Sequence, residues 1–398
     1  MQDLLLFQEN LLKQTQSHWF RYLYHQLPLA EKMVGIKGLR GVGKTTLLLQ
    51  YSKYKWENPE TVLYVTADHP YFYQNSLFDL AGEWERMGGG LLLIDEVHKY
   101  ANWSRELKLI YDGFPTLKVV FTSSSALDLY RGESDLSRRL ITLTLSGLSF
   151  REYLSLHKII DHPIVSLSDI LQNHRTISRE INNNIKVLPH FKNYIASGYF
   201  PFSKPGDDRF TNQRLIQVIN TVLETDLAYV QDYSASNIAK IKKLLGVIAA
   251  SAPFEPNISK IAQKLNLGRD TVNHYLQHLQ DAYILILANK PTKGISALQK
   301  PDKIYIENTA FVHALQPQPE AGTLRETFFI NQLRNSGYKV ELSVKGDFLV
   351  DSKFTFEVGG RNKDMSQINR LENAYLALDD IESGVGSRIP LWLFGFLY

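Results

Sequence analysis

The sequence predicts an α/β protein in which a parallel sheet flanked by helices is followed by a helical region and a smaller α/β domain. Residues 38–46 form a glycine-rich stretch between a strand-like run and an apolar, helix-favouring run. Residues 91–94 are apolar at every position and are followed by two acids, as expected of a parallel strand buried on both faces. After about residue 150 the strand pattern gives way to helical periodicity, which indicates a change of architecture.

Composition and charge narrow the class of protein. The 398 residues are 44% hydrophobic and 21% charged, which is typical of a globular protein with two or three domains. The net charge of +3 is too small to indicate nucleic-acid binding by itself. There are no cysteines, which excludes disulfides and Cys-ligated zinc. We find neither a signal peptide nor a bilayer-spanning run, and we therefore expect a cytoplasmic protein without a membrane partner.

The glycine-rich stretch, GLRGVGKTT, fits the pattern G-x-x-x-x-G-K-[ST] at every fixed position. A strand-like run at 33–36 precedes it and an apolar run at 47–50 follows, which is the context of a P-loop. Its backbone N–H groups and the helix N-terminus would face phosphate oxygens, Lys44 would reach the β- and γ-phosphates, and Thr45 would ligate Mg²⁺. The predicted nucleotide-binding residues of this stretch are Gly38, Gly41, Val42, Gly43, Lys44, Thr45 and Thr46.

The apolar run at 91–94 ends in Asp95 and Glu96, which is the Walker B pattern. We expect Asp95 to emerge beside the P-loop, where it would hold Mg²⁺ together with Thr45. Glu96 would then orient or deprotonate the attacking water and is our candidate catalytic base.

Further elements surround these two motifs. Residues 1 to about 30 predict an amphipathic helix, and 61–66 and 117–121 predict strands. Asp68, at the end of the first of these strands, is interpreted as a turn former before Pro70 in preference to a ligand-edge carboxylate.

Two polar groups could complete a nucleotide site. Among the hydroxyls that follow residue 121, Ser123 is our candidate for sensing the γ-phosphate, with helix capping by the serines as the alternative. Before a strand-like run at 141–145, Arg139 or Arg138 is the candidate for neutralising phosphate charge during catalysis. A solvated basic corner is the alternative interpretation of these arginines.

Four segments together resemble a known family. They are the P-loop, the string LLIDEVHK at 92–99, the strand end FTSSS at 121–125 and the segment LSFREYL at 148–154. In this order they are similar to the prokaryotic AAA-type P-loop NTPases that carry a C-terminal DUF4143 domain. The resemblance implies ATP and Mg²⁺ as cofactors, Arg139 as a catalytic arginine, and a homo-oligomer if that arginine acts on a neighbouring subunit. The family often has glycine before this arginine, and Arg138 in that position leaves open which arginine acts.

Residues 156–300 predict a helical region that contains a winged helix-turn-helix at about 240–290. Residues 258–279 form helix, turn and helix around Gly268, and 281–286 could begin a wing. If this element bound DNA, its second helix would enter the major groove. The side chains that would then face DNA are Arg269, Asn273, His274 and Gln277. Because that helix carries little positive charge, we prefer a lid or a contact with a protein partner.

Residues 301–398 predict a small α/β domain. The expected order is a helix at 323–335, strands at 339–344, 347–350 and 354–358, a helix at 365–380 and a last strand at 391–397. This order resembles the restriction-endonuclease-like nuclease core.

The carboxylates that match a nuclease site are Glu326, Asp347 and Glu357. A nuclease of this type also needs a lysine, but Gly359 occupies the position where Glu-x-Lys is expected, and Lys363 is the alternative. We therefore prefer a nuclease-like fold without nuclease activity.

The favoured function is an ATP-binding and ATP-hydrolysing protein with three domains, 1–155, 156–300 and 301–398. Its nucleotide state would reposition the winged helix and the nuclease-like module. The alternatives are a DNA-processing ATPase with an active nuclease, and a switch that binds ATP without hydrolysing it. The choice of ATP over GTP is not fixed, since no N-K-x-D motif follows the P-loop.

Overall fold

The apolar strands predicted from the sequence lie together in the first of two compact units, Met1–Ser146 and Gly147–Tyr398. The structure is a computed structural model. It describes residues 1–28, 30–124, 136, 138–203, 208–227, 233–291 and 300–398, with residues 208 and 209 described by their backbone alone.

A five-stranded parallel sheet forms the centre of the first unit, in the order β2-β3-β4-β1-β5. The strands are β1 Met33–Lys37, β2 Val62–Thr66, β3 Leu91–Asp95, β4 Lys118–Ser123 and β5 Ile141–Thr144. The predicted sheet flanked by helices is confirmed. Because β4 lies between β1 and β3, the residues at its carboxyl end stand between the P-loop and Asp95.

Helices flank this sheet, and the apolar residues of β1, β2, β3 and β4 are almost completely buried between them. The helices are α1 Gln2–Gln14, α2 Tyr22–Gln26, α3 Lys44–Tyr54, α4 Leu77–Arg86 and α5 Trp103–Gly113. Each buried Leu, Val or Ile of this core stabilises the unit by about 1.5–3 kcal/mol through burial.

The single helix predicted for residues 1 to about 30 is wrong, because α1 ends at Gln14. Beyond that point the backbone carbonyls of Gln16 and Trp19 accept hydrogen bonds from the Gln50 side chain at 3.2 and 2.8 Å. These carbonyl groups therefore accept hydrogen bonds from a side chain of α3 and not from the backbone N–H groups of a continuing helix.

The second unit begins with helices. They are α6 Phe150–Leu156, α7 Leu167–Asn184, α8 Val187–Ser197, α9 Asp208–Thr221, α10 Ala235–Ala249, α11 Ile258–Leu265 and α12 Arg269–Asp281. A π-helical segment, Val222–Asp226, follows α9. The described part of this unit contains no helix long and apolar enough to cross a membrane, and the same holds for the first unit.

The predicted helix-turn-helix is present as α11 and α12. Two antiparallel strands, β6 Leu285–Ala288 and β7 Lys303–Ile306, follow it in the chain. The predicted domain boundary at residue 300 falls between these two paired strands. The division of the second unit into two domains stays a prediction.

The rest of the unit is a mixed sheet with two more helices, α13 Thr309–Leu315 and α14 Ala321–Asn335. The sheet order is β12-β11-β10-β9-β8. Its strands are β8 Val340–Leu342, β9 Phe348–Val350, β10 Phe354–Gly359, β11 Ala374–Leu378 and β12 Arg388–Pro390. β8, β9 and β10 pair antiparallel, whereas β11 runs parallel to β10 and to β12.

Two predicted elements of this region are wrong. The predicted helix at 365–380 consists of turns followed by β11, because the helix-like spacing of Met365, Ile368 and Leu371 arises from side chains that pack on β11 from turns. The predicted last strand at 391–397 is instead a 3₁₀ helix, Leu391–Phe396, in which every residue is buried. A short apolar run does not distinguish a buried strand from a buried helix.

Candidate active site

The P-loop turns through two glycines whose backbone other residues adopt poorly. Gly41 has φ 84° and Gly43 has φ 98°, both in the left-handed region. Gly38 is required for a different reason, since a Cβ there would lie 2.2 Å from the carbonyl oxygen of Leu145. The loop therefore lies directly against the residues that follow β5. Val42 is buried within the loop, and Thr46 is exposed on α3.

Lys44 begins α3 and is buried. Its Nζ donates to the carbonyl oxygens of Gly38 and Leu39 at 2.7 and 3.2 Å. The ammonium group thus lies inside the curve of the loop. Anionic phosphate oxygens are stronger acceptors than neutral carbonyls, so this position suits a nucleotide.

Asp95, at the end of β3, is buried and accepts hydrogen bonds from three hydroxyl groups. Thr45 Oγ1 donates to Oδ2 at 2.6 Å, Tyr64 OH donates to Oδ2 at 3.0 Å, and Thr122 Oγ1 donates to Oδ1. Burial, and then the charge of Asp95, raise the pKa of Tyr64, so the phenol keeps its proton and remains a donor. A carboxylate beside a threonine hydroxyl offers the hard oxygen ligands that Mg²⁺ prefers.

Glu96 follows in a left-handed backbone conformation, φ 49° and ψ 45°. Its N–H donates to Thr122 Oγ1 at 2.9 Å, and its carboxylate lies 2.7 Å from Lys99 Nζ and 3.6 Å from Arg40 Nη2. Burial alone would raise the pKa of this carboxyl. The hydrogen bond from Lys99 and the charge of Arg40 outweigh burial, and the pKa of Glu96 is lowered.

Asp68 belongs to the same surface. Its carboxylate accepts from Thr66 Oγ1 at 2.5 Å and lies 3.0 Å from Lys99 Nζ. Asp68 therefore lies at the ligand edge of the sheet and is linked through Lys99 to Glu96. The sequence interpretation had preferred a simple turn former.

His98 packs behind this surface. Its Nε2 lies 3.0 Å from Ser124 Oγ, and burial lowers the pKa of the imidazole to about 4. A neutral buried imidazole supports the turn after β3 and adds no charge to the site near neutral pH.

The hydroxyl that reaches the acids is that of Thr122, one residue before the predicted Ser123. Successive side chains of a strand point to opposite faces of the sheet, so the buried Ser123 lies on the other face from Thr122, whose hydroxyl donates to Asp95. Ser125, named with this strand end, lies outside the described residues. The position of β4 between β1 and β3 is what selects Thr122, and the sequence alone does not give that order.

Arg139 does not reach the P-loop of its own chain. Val34 of β1 pairs with Ile141 of β5, so Arg139 precedes β5 at the amino edge of the sheet, opposite the P-loop. There its guanidinium makes two hydrogen bonds to Asp112, at 3.0 and 3.1 Å. Within its own chain Arg139 therefore lies away from the P-loop, and its role as a catalytic arginine, acting on a neighbouring chain, stays a prediction.

Arg21 is a residue that the sequence interpretation missed. It is buried, and its guanidinium donates to the carbonyl oxygens of Val42 in the P-loop and of Ser146 beyond β5, the second at 2.7 Å. Arg21 thus joins the P-loop to the last residue of the first unit. A lone arginine before a P-loop carries no motif that would have revealed this.

The three predicted nuclease-type acids do come together in the second unit. Glu326 lies 2.6 Å from Lys303 Nζ, and Glu357 lies 2.5 Å from Lys363 Nζ. Asp347 accepts from the N–H of Val358 at 2.7 Å. Burial, followed by the charges of Glu326 and Glu357, raises the pKa of Asp347 to about 6.

Lys363 reaches Glu357 because Gly359 has no side chain. A Cβ at Gly359 would lie 2.6 Å from Lys363 Cβ and Cγ. The lysine missing from position 359 is thus replaced in space by Lys363. Within the described ranges, no group of three or more His, Asp or Glu side chains has the arrangement of a metal site.

The helix-turn-helix residues are only partly available to a ligand. Arg269, His274 and Gln277 are exposed on α12, whereas Asn273 is half-buried. Gln277 Nε2 also donates to Asp281 Oδ1 at 2.9 Å.

Two family models match parts of the chain. Residues 30–154 match the family model of an AAA domain, and residues 188–321 match a domain of unknown function, DUF8612. Residues 30–154 are therefore similar to AAA domains. The expected DUF4143 domain is not shown, since DUF8612 is the family that matches in the second unit.

Three curated relatives are uncharacterised proteins. Two come from Methanocaldococcus jannaschii and are 27% and 24% identical, over 64% and 70% of this chain and 56% and 60% of their own lengths. The chain thus spans less than two thirds of these archaeal relatives. The third, from Haemophilus influenzae, is 25% identical over 77% of this chain and 75% of its own length.

Solved structures with similarity include two nucleotide-related proteins. A Walker-type ATPase of Pyrococcus abyssi is 12% identical and aligns over 74% of this chain and 93% of its own, with a TM-score of 0.43. AMPPCP-bound DnaA from Aquifex aeolicus is 16% identical over 68% of this chain and 86% of its own, with a TM-score of 0.24.

Proposed function

We propose that the AAA-type P-loop domain binds ATP with Mg²⁺ and hydrolyses the nucleotide. The observation that carries this proposal is the 2.6 Å contact between Thr45 Oγ1 and Asp95 Oδ2. It joins the first helix after the P-loop to the end of β3, with Glu96 as the next residue. The AAA match over residues 30–154 supports ATP as the nucleotide.

Each residue has a distinct role in this proposal. Lys44 and the N–H groups of the loop hold the phosphates, and Thr45 and Asp95 would hold Mg²⁺. When bound, the cation neutralises charge on the phosphates. Tyr64 and Thr122 fix the Asp95 carboxylate by hydrogen bonds, and Glu96 accepts the proton of the attacking water.

An ATPase assay on the purified chain, with and without DNA, tests this proposal. Glu96→Gln should retain nucleotide binding and lower kcat about 100-fold or more, because a general base contributes 10²–10⁴-fold. Lys44→Ala should abolish binding of a fluorescent ATP analogue. Lys13→Ala and Glu9→Gln, which alter an exposed ion pair on α1, are matched controls and should behave as wild type. Unchanged nucleotide binding in Lys44→Ala would show that the site is assigned to the wrong residues.

We further propose that the nucleotide state repositions the winged helix and the nuclease-like module. Support comes from the end of the first unit, where Leu145 N–H donates to Lys37 O at 2.8 Å and Arg21 joins Val42 to Ser146. A shift of the P-loop on binding phosphate would thus move the residues that lead into the second unit. Protease cleavage rates of the second unit, with and without a non-hydrolysable ATP analogue, should differ.

We propose no nuclease activity for the second unit. Lys303 and Lys363 already neutralise Glu326 and Glu357, so these carboxylates serve its stability. Divalent-dependent nicking of DNA that is lost in Glu357→Ala would overturn this view.

DNA binding by the winged helix is the second candidate function. The observation that favours it is the β6–β7 hairpin, which completes a wing beside the exposed Arg269 and His274. ATPase stimulation by duplex DNA, together with binding that weakens steeply with salt, would support it. Stable retention of ATP without turnover would favour the third alternative, a non-hydrolysing switch.

A further inference from the structure

The Glu96 carboxylate shares its principal cation with a second acid. Lys99 Nζ lies 2.7 Å from Glu96 Oε2 and 3.0 Å from Asp68 Oδ2. These acids follow β3 and β2, which are neighbours in the sheet with Thr66 paired to Asp95. Lys99 thus bridges the two strand ends at the edge where the P-loop lies.

We infer that Lys99 is a positioning residue that holds the Glu96 carboxylate in place, and that Asp68 limits how strongly Lys99 does so. This inference rests on the proposed ATP hydrolysis. It assigns a role to a lysine and an aspartate that belong to neither the P-loop nor the Walker B pair.

The backbone of Glu96 shows why such a restraint is needed. A non-glycine residue in the left-handed region persists only where its surroundings impose it. Two contacts do so here: the hydrogen bond from Glu96 N–H to Thr122 Oγ1, and the ion pair of its carboxylate with Lys99. Without Lys99, the side chain would keep only the more distant Arg40, at 3.6 Å, among its named ion pairs.

Asp68 is itself held in place to receive the lysine. Its other carboxylate oxygen, Oδ1, accepts from Thr66 Oγ1 at 2.5 Å, so Oδ2 faces Lys99 in a fixed direction. An ammonium group shared between two carboxylates donates less strongly to either of them. Removing the charge of Asp68 should therefore tighten the hold of Lys99 on Glu96.

Lys99 and Arg40 both make ion pairs with the Glu96 carboxylate. The pair with Lys99 is the shorter, at 2.7 Å against 3.6 Å for Arg40. Loss of the Lys99 ammonium group would therefore remove the stronger of these two restraints on the carboxylate.

The first test is how the loss of activity divides between kcat and KM. In Lys99→Met kcat should fall several-fold while KM for ATP stays close to that of wild type, because the carboxylate that accepts the proton of the attacking water is no longer held in place. Lys99→Arg should restore most of the wild-type kcat. An unchanged kcat in Lys99→Met would overturn the inference.

The second test uses the nucleotide-free protein. Chemical unfolding of Glu96→Gln, Lys99→Met and the double variant measures the coupling between the two side chains. That coupling should be favourable and should grow in the Asp68→Asn background. Coupling that is absent, or that Asp68→Asn leaves unchanged, would contradict the proposed sharing of Lys99. If Lys99→Met does not fold, Lys99→Gln replaces it in the same cycle with Glu96→Gln, and an absent coupling there would likewise contradict the proposal.

The two proposals fail in different ways. If wild type does not turn over ATP, or if Glu96→Gln turns it over normally, then the proposed hydrolytic site is wrong. If Glu96→Gln and Lys44→Ala are both defective while the Lys99 and Asp68 variants match wild type in kcat and show no coupling, only the role of Lys99 is wrong.

Discussion

The two units each pair a glutamate with a lysine beside an aspartate, but they use the pair differently. In the first unit Glu96 stands one residue beyond β3, and its side chain is 21% exposed. In the second unit Glu357 lies inside β10, and its side chain is 2% exposed. A carboxylate just beyond the carboxyl end of a parallel strand can meet a ligand, whereas one within a covered strand mainly serves packing.

The pKa shifts follow the same division. Near the P-loop, hydrogen bonds from Lys99 and Thr66 overcome burial and lower the pKa values of Glu96 and Asp68. In the second unit burial dominates and raises the pKa values of Asp347 to about 6 and Glu307 to about 7. Glu96 and Asp68 are therefore held in the charged form, whereas burial favours the neutral form of Asp347 and Glu307.

The largest expected difference concerns the two lysines. Lys363→Met would leave Glu357 buried without its cation and should destabilise the protein by about 3 kcal/mol or more. Lys99→Met should cost less than about 1 kcal/mol, since Glu96 remains partly exposed and close to Arg40. Urea unfolding of the two variants measures both values. Equal losses of unfolding free energy in the two variants would contradict the distinction between a buried carboxylate and one that can meet a ligand.

A second prediction concerns Glu307, whose carboxyl is buried beside Asn331. Because the folded pKa of about 7 lies above the unfolded value, the fold favours the neutral form. Stability should therefore be greatest below about pH 4.5, should fall by about 3 kcal/mol as the pH rises through about 7, and should then level off.

Glu307→Gln should remove most of this decrease in stability with rising pH. The measurement is the free energy of unfolding between about pH 5 and about pH 8. The lowered pKa values of Glu96 and Asp68 have the opposite sign. The contribution of these two carboxylates to stability is present above the unfolded carboxyl pKa and is lost only as the pH falls below that pKa. Glu96→Gln should therefore leave the slope above pH 5 unchanged and is the matched control.

The sequence predicted those parts of the site that depend on local pattern. The run from β1 through the P-loop to α3, and the step from β3 to Asp95, follow from hydrophobicity and glycine chemistry within a few residues. Thr122 was predicted only as one of several strand-end hydroxyls, because its hydrogen bond to Asp95 depends on β4 lying next to β3. The role of Ser123 stays a prediction. The link between Asp68 and Lys99 depends likewise on β2 lying next to β3.

The errors in the second unit have a similar origin. The apolar spacing of residues 365–371 is that of a helix, but these side chains cover β11 from turns. Gly359 looked like a defect in a nuclease motif, yet it makes room for Lys363. Both features depend on how side chains pack in the folded protein, and the periodicity of the sequence does not report this packing.

The smallest expected effect belongs to Arg139, at the opposite edge of the sheet from both Glu96 and Lys99. Its guanidinium is bound to Asp112 on the surface, so Arg139→Ala should leave stability and nucleotide affinity close to wild type. If Arg139 completes the site of a neighbouring chain, turnover in wild type should rise with protein concentration and Arg139→Ala should abolish that rise.

Arg105→Ala, which removes an exposed arginine from α5, is the matched control for this measurement. Mixing Arg139→Ala with Glu96→Gln provides the decisive arm, because a mixed assembly would contain interfaces that pair an intact Glu96 with an intact Arg139. Turnover recovered on mixing would place the arginine in the partner's site. Turnover that stays at the sum of the two variants would leave Arg139 as a surface residue and would confine the catalytic groups to the carboxyl edge of the sheet.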